Sequence, residues 1–295
     1  MFWVDGESQQ TIDILDRSFQ YGDGCFTTML VRDGQIQHFH DHQCRVDDCL
    51  KALRISALDW DVVNLWLDNA LQHIQHIQDN DLHGTKSLDG STNLQDKNKP
   101  HNEKAGIKLH VSRGTGGRGY STKNIAKPTI TISTFDFPSH YSAWQDSGVE
   151  LGICQQALGL SPLLAGHKHN NRLEQILMKD EMDQADEVDG VVLDISGNVI
   201  ETTMANLFWR KGQTIHTPQL TQSGVAGVMR KQVLTALNQV ELSVTISDYS
   251  LSQLMQADEI FMTNSILGVA PVTRISDTQF NIGTVTRSLQ GQLNS

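Results

Sequence analysis

A lysine amine acts as a nucleophile or base only when its proton is held off, by burial or by nearby positive charge. Lys168 lies between His167 and His169, just before a stretch carrying Leu173, Ile176 and Leu177 at helical spacing. By residue type alone it is one solvated cation among 23 lysines and arginines. A second candidate is Gly114-Thr115-Gly116-Gly117-Arg118-Gly119, which matches G-x-G-x-x-G and follows a strand-like run. A dinucleotide fingerprint needs a helix that begins at the motif and aims its positive end at a pyrophosphate. Here Tyr120-Ser121-Thr122 and then Pro128 follow, so the segment reads as a loop between two strands. Its Arg113 and Arg118 either face an anionic ligand or belong to a solvated loop. Cys25, Cys44, Cys49 and Cys154 form no C-x-x-C pair, so no zinc or redox motif and no metal are expected.

The elements that must hold these residues fall into two groups. Phe2-Trp3-Val4 and Gln10-Thr11-Ile12 read as strands about the turn Asp5-Gly6, and 25–31 with 36–39 as a hairpin about Arg32-Asp33-Gly34. Val46, Cys49, Leu50 and Leu53 fall at i, i+3, i+4 and i+7, which predicts a helix, and a second is expected over about 61–77. Residues 79–104 are polar and read as an insertion loop, followed by strands at 107–112 and 129–133. Beyond Phe137-Pro138-Ser139-His140 come a strand at 149–154, the helix after Lys168 and a hairpin about Ser196-Gly197-Asn198. Strands at 206–209 and 214–217, a helix from near Gly227 and a strand at 259–263 follow. The order predicts an α+β chain: a small domain over 1–138, a link over 139–147 and a larger β-rich domain with helices over 148–295.

The chain has 295 residues, 38% hydrophobic and 19% charged, as a soluble globular protein would. No run approaches the ~20 apolar residues of a membrane span. The start, Met1-Phe2-Trp3-Val4-Asp5-Gly6, has neither a basic region nor an apolar one, so a cytoplasmic protein is expected. A net charge of −11 disfavours nucleic-acid partners but leaves room for a small anionic ligand in a local basic pocket.

Three segments resemble one family. They are Asp16-Arg17-Ser18-Phe19-Gln20-Tyr21-Gly22-Asp23-Gly24, His167-Lys168-His169-Asn170-Asn171-Arg172-Leu173-Glu174, and Glu201-Thr202-Thr203-Met204-Ala205-Asn206-Leu207-Phe208. In this order and spacing they are similar to the signatures of fold-type IV pyridoxal-phosphate enzymes, the class IV aminotransferase family. The resemblance spans nearly the whole chain apart from 79–104, with Asn170 standing where leucine is usual. It implies a two-domain α+β fold whose larger domain is barrel-like, with pyridoxal 5′-phosphate as cofactor. Lys168 is then its covalent anchor and the general base, and Glu201 the carboxylate beside the ring nitrogen. Arg45, in His42-Gln43-Cys44-Arg45-Val46, corresponds to an arginine that forks onto phosphate oxygens. The N–H groups of Val228 and Met229, at a helix start, and the Asn264-Ser265 turn complete the phosphate site. Thr28 is expected among the catalytic residues, facing the substrate pocket with Phe26, and Arg118, with Tyr120 close by, to hold a carboxylate in a neighbouring subunit's site, which implies a homodimer.

Among enzymes of this scaffold, the versions of Gly24–Thr28, Ser112–Ser121 and Asn171–Gln175 found here look like those of the lyase branch. That branch converts 4-amino-4-deoxychorismate into 4-aminobenzoate and pyruvate in folate synthesis. An aminotransferase of D- or branched-chain amino acids is the alternative, because fold alone does not separate the two. A non-catalytic scaffold is a third reading, which the joint presence of Lys168, Glu201 and Arg45 opposes.

Overall fold

The computed structural model describes residues 1–83, 104–125, 127–238 and 242–294. Contacts divide the chain into Met1–Phe137 and Pro138–Ser295, each with its own core.

In the first unit, β1 (Phe2–Val4) reverses through Asp5 and Gly6, at φ 47° and 86°, into β2 (Glu7–Ser8). The partner of β1 is therefore Glu7–Ser8 rather than the expected 10–12, because two left-handed residues close the tightest hairpin. After α1 (Arg17–Tyr21), β3 (Gly24–Arg32) and β4 (Gln35–Ile36) form the second hairpin, again through two left-handed residues, Asp33 and Gly34. Then come α2 (Phe39–Leu53), α3 (Trp60–His83), β5 (Lys104–Ser112) and β6 (Thr129–Asp136). The helix α3 outruns its expected end at 77 because no glycine or proline interrupts 61–83. Of the expected insertion 79–104, residues 79–83 are thus helical and Lys104 opens a strand, while 84–103 lie outside the described residues.

The sheet runs β2-β1-β6-β5-β3-β4, with β5 antiparallel to both β3 and β6. Strict alternation along β3 and β5 sends Cys25, Met29, Ile107, Leu109 and Val111 into a core shared with Val46, Leu50, Val63 and Leu67 of the two long helices. The alternate residues, Phe26, Thr28, Lys108 and His110, line the opposite face.

The second unit contains α4 (Tyr141–Ser147), β7 (Val149–Leu158), α5 (Leu173–Gln184), β8 (Gly190–Asp194), β9 (Val199–Thr202), β10 (Asn206–Lys211) and β11 (Thr214–Pro218). It continues with α6 (Val228–Leu237), β12 (Ser243–Ser247), α7 (Leu251–Leu254), β13 (Glu259–Asn264), β14 (Gly268–Ile275), β15 (Thr278–Gln279) and α8 (Thr284–Leu293). Of the expected link 139–147, Tyr141–Ser147 form α4, whose Tyr141 and Trp144 pack on this unit's core. The strand order is β12-β11-β10-β13-β14-β7-β8-β9, with β15 on β14. The last strand, β9, comes back against β10 and β11, so the sheet curls on itself. Pro271 stands inside β14, and the ladder to β7 begins just after it, at Val272, where no N–H is missing.

The helix α5 buries a different face from the one the periodicity suggested. Leu173, Ile176 and Leu177 are exposed, while Met178 and Met182 pack with Cys154, Leu158, Val192 and Ile200. Room for Met182 comes from Gly152 and Gly190, where an added Cβ would stand 2.8 and 2.4 Å from its sulfur.

Candidate active site

Lys168 sits on an irregular segment between β7 and α5 and is half-buried. That segment is tied to residues 224–226: Gly166 N–H donates to the Gly224 carbonyl at 3.0 Å, and Ala226 N–H donates back to the Gly166 carbonyl at 3.0 Å. Val225, between them, donates its N–H to Glu201 Oε2 at 3.0 Å. One short loop therefore holds both the lysine segment and the carboxylate.

Asn206, the first residue of β10, joins the remaining parts. Its Nδ2 donates to the Val225 carbonyl at 2.8 Å and to Glu201 Oε2 at 3.4 Å, and its Oδ1 accepts the Gly227 N–H at 3.2 Å. Gly227 is the N-cap of α6 and brings no side-chain cap of its own. The first helical N–H groups, those of Val228 and Met229, have no partner within a helix by its geometry, and a helix start carries partial positive charge. Gly227 is needed for space: a Cβ there would lie 2.3 Å from Asn206 Oδ1.

Glu201 is buried on β9. Burial pushes its carboxyl up to about 7, against the opposing pull of the Val225 N–H and the positive charges of Lys168 and Arg172. His169 is held down at about 4, chiefly by burial and then by the charges of Arg172, His167 and Lys168, so it is neutral at pH 7. Arg172 donates through Nε to the His169 carbonyl at 2.8 Å and through Nη2 to the His167 carbonyl at 3.2 Å.

Asn264 ends β13 and folds its side chain over the following turn, accepting the N–H groups of Ile266 and Leu267 at 3.0 and 2.8 Å. Its Nδ2 donates to the Met204 carbonyl at 3.4 Å. The amide thus shapes the turn that carries the half-buried Ser265.

In the first unit, Arg45 points from α2 toward the sheet. Its Nη2 meets Thr27 Oγ1 and lies 3.3 Å from His42 Nδ1, which itself lies 2.6 Å from the Thr27 hydroxyl. The Nε of Arg45 is buried with no partner among the described residues, and burial lowers the guanidinium to about 10. Phe26 and Thr28 stand on the other face of β3, opposite His110 and Lys108 of β5. The Lys108 amine lies 4.6 Å from the centre of the Phe26 ring.

Among the described residues between β5 and β6 no helix follows the glycine motif, in keeping with the loop read from the sequence. Arg113 is engaged inside its own unit: it donates to Asp23 at 2.7 Å and to the carbonyls of Arg54 and Leu53 at 2.8 Å each. Arg17, buried, pairs with Asp23 at 2.9 Å and reaches the Gly119 carbonyl at 3.0 Å. Asp16 caps α1, and Gly22 closes it at φ 65°. The Asp16–Asp23 signature is thus a brace for the loop that displays the exposed Arg118 and Tyr120, the latter edge-on to Tyr21 at 5.7 Å. Sequence reasoning gave no role of their own to Val225, Arg172 or Lys108. Alternation along β5 from the core residues Ile107 and Leu109 was a signal for Lys108; nothing local marked Val225.

The amino-transferase class IV family model matches residues 24–275, and the chain belongs to that family. It is 48% identical over 299 residues to the aminodeoxychorismate lyase of Vibrio harveyi, covering 100% of both chains. The crystal structure of 4-amino-4-deoxychorismate lyase from Pseudomonas aeruginosa superposes with a TM-score of 0.85 at 32% identity, covering 99% of this chain and 97% of that one. The Escherichia coli branched-chain amino acid aminotransferase shares the fold, with a TM-score of 0.75 at 19% identity over 98% of this chain and 91% of its own. The two-domain α+β architecture is that of fold type IV.

Enzymes of this family use pyridoxal 5′-phosphate, and the second unit has donors that fit it. A half-buried lysine, a buried carboxylate whose proton affinity lies near neutrality and a helix start whose N-cap glycine brings no side-chain cap match an aldehyde, a pyridine nitrogen and a phosphate. His169 Nδ1 and Ser223 Oγ are also buried there without a partner among the described residues. Among those residues no helix is long and apolar enough to cross a membrane.

Proposed function

We propose that this chain binds pyridoxal 5′-phosphate at Lys168 and converts 4-amino-4-deoxychorismate into 4-aminobenzoate and pyruvate. The loop that joins the Lys168 segment to buried Glu201, in a chain 48% identical to an aminodeoxychorismate lyase, carries the reading. When bound, the cofactor supplies an electron sink for charge left on the amine-bearing carbon of the substrate. Glu201, braced by Val225 and Asn206, holds a proton at the ring nitrogen. Lys168 Nζ takes the proton from the amine-bearing carbon, and loss of enolpyruvate from the neighbouring carbon leaves an aromatic ring. Val228 and Met229 N–H groups, the Ser265 hydroxyl on the turn shaped by Asn264, and Arg45 are assigned to the phosphate. Phe26 and Thr28 line the substrate side, and Arg118 with Tyr120 meets a carboxylate. We further assign Arg118 to the neighbouring subunit's site in a homodimer; exposed Ile14, Leu15, Phe19 and Tyr120 on the same unit support burial against a partner. Four free cysteines suit a reducing cytoplasm.

The purified protein should be yellow, and borohydride should fix the cofactor mass on the Lys168 peptide. With aminodeoxychorismate it should release pyruvate and 4-aminobenzoate in equal amounts. A colourless protein after added pyridoxal phosphate overturns the reading. Amino-group exchange between amino acids and keto acids without pyruvate release from aminodeoxychorismate places it with the aminotransferases instead.

A further inference from the structure

We propose that Arg172 is a positioning residue whose guanidinium, by gripping the carbonyls of His167 and His169, fixes the backbone on both sides of Lys168. The segment carrying Lys168 belongs to no helix or strand, so no regular ladder sets the direction of its side chain. Arg172, at the start of α5, folds back over it with Nε on the His169 carbonyl at 2.8 Å and Nη2 on the His167 carbonyl at 3.2 Å. The two carbonyls flank the lysine, and the rigid planar fork of arginine reaches both at once, as an ammonium does not. From the other side Gly166 is bridged to Gly224 and Ala226. Lys168 is thus held between a side-chain clamp and a main-chain bridge. The clamp also sets a permanent positive charge near the lysine, and the same charge bears on His169 and Glu201.

The inference rests on Lys168 being the cofactor lysine, and its test separates the two. Holoenzyme of the wild type, Arg172→Met and Arg172→Lys is compared by the pH midpoint of its visible absorbance and by kcat and KM for aminodeoxychorismate. Amide exchange over 167–171 is followed in the cofactor-free proteins. Arg172→Met should lower kcat on the order of tenfold with KM within about twofold, because misplacing a reacting group costs rate more than binding. Its absorbance midpoint should rise, since a positive charge that disfavoured a second one is gone, and its amides should exchange faster. Arg172→Lys should keep the wild-type midpoint, having kept the charge, yet lose part of kcat. A coloured wild type beside an Arg172→Met enzyme with unchanged kcat, midpoint and exchange overturns this inference alone. Should Arg172→Met fail to fold, a wild-type kcat in Arg172→Lys overturns it equally. A wild type that takes up no cofactor at Lys168 overturns the underlying reading and this one with it.

Discussion

The Val225 N–H donates to Glu201 at 3.0 Å from a loop that also grips Gly166, two residues ahead of Lys168. The carboxylate and the lysine segment therefore share one support, although 33 positions separate Lys168 from Glu201 in the chain (201 − 168). Movement of that loop displaces both, which couples the placement of Lys168, the proposed base, to the protonation of Glu201.

The burial of Glu201 gives the cofactor-free protein a pH-dependent stability. Its folded carboxyl titrates at about 7 against 4.5 for an unperturbed glutamate, so between those values the folded state binds more protons than the unfolded one. This stabilising contribution is complete below pH 4.5 and is lost as pH rises to about 7. Thermal melts of the apoprotein should fall over that window, and Glu201→Gln should flatten the fall. A variant whose melting temperature tracks the wild type across the window contradicts the assignment. The same substitution should lower kcat by on the order of a hundredfold, the scale of one general acid–base group.

Gly227 offers a sterically clean test of the helix start. Its backbone is ordinary, with φ −67° and ψ 147°, so alanine brings no conformational strain. The added Cβ would instead press on Asn206 Oδ1 at 2.3 Å, loosening the amide that also holds Val225 and Glu201. Gly227→Ala should weaken pyridoxal-phosphate binding at least severalfold while costing roughly 1–3 kcal/mol of stability, the scale of one disrupted buried hydrogen-bond group. Fluorescence titration of the apoprotein with the cofactor reads the first effect and urea melts the second. Asn206→Ala should weaken binding in the same direction, and the double variant should do little more, because both act through one amide.

How much of this the sequence displayed depended on whether a residue's role is local. Asp33-Gly34 revealed its hairpin because a two-residue turn is written in the residues that make it. Motif spacing singled out Glu201 and Lys168, and the structure ties their two segments to one loop at 224–226. The face of α5 was not: Leu173, Ile176 and Leu177 form the more apolar stripe, yet the sheet receives Met178 and Met182 where Gly152 and Gly190 leave space. That choice is made by glycines in two other strands. β14 was not among the expected strands, and its Pro271 is tolerated there because the pairing with β7 starts one residue later, at Val272. Arg113 read equally as a ligand residue or a solvated-loop cation, because a cation in a glycine loop is ambiguous until its partners, Asp23 and the end of α2, are known.

Gly190 tests that account of α5. A methyl group there would meet Met182 Sδ at 2.4 Å and Cys154 Sγ at 2.9 Å. Gly190→Ala should therefore destabilise by about 1–3 kcal/mol, the usual cost of overpacking a core. Met182→Ala should lose core packing alone, but in the Gly190→Ala background it should cost distinctly less, giving a favourable coupling in a double-mutant cycle by chemical denaturation. Additive effects would mean that the glycine does not make room for the methionine.

Arg17 links the first signature to the loop that carries Arg118. Its guanidinium pairs with Asp23 at 2.9 Å and donates to the Gly119 carbonyl at 3.0 Å, while Asp23 is shared with Arg113 at 2.7 Å. Burial alone would raise the Asp23 carboxyl, but the hydrogen bonds and charges of Arg113 and Arg17 outweigh it and hold the pKa below the usual 3.8. The stabilising contribution of Asp23 is then present above pH 3.8 and is lost as pH falls through its lower folded value. Arg17→Met should remove about 2–3 kcal/mol, as expected for charge-assisted bonds inside a protein, and should free the loop at 114–121. Because Arg118 is assigned to a substrate carboxylate, the released loop should raise KM for aminodeoxychorismate more than it lowers kcat. Limited proteolysis at 114–121 reads the loop and steady-state kinetics reads the split. A variant cut no faster than the wild type and unchanged in KM would show that Arg17 braces only α1, leaving the glycine loop to hold itself.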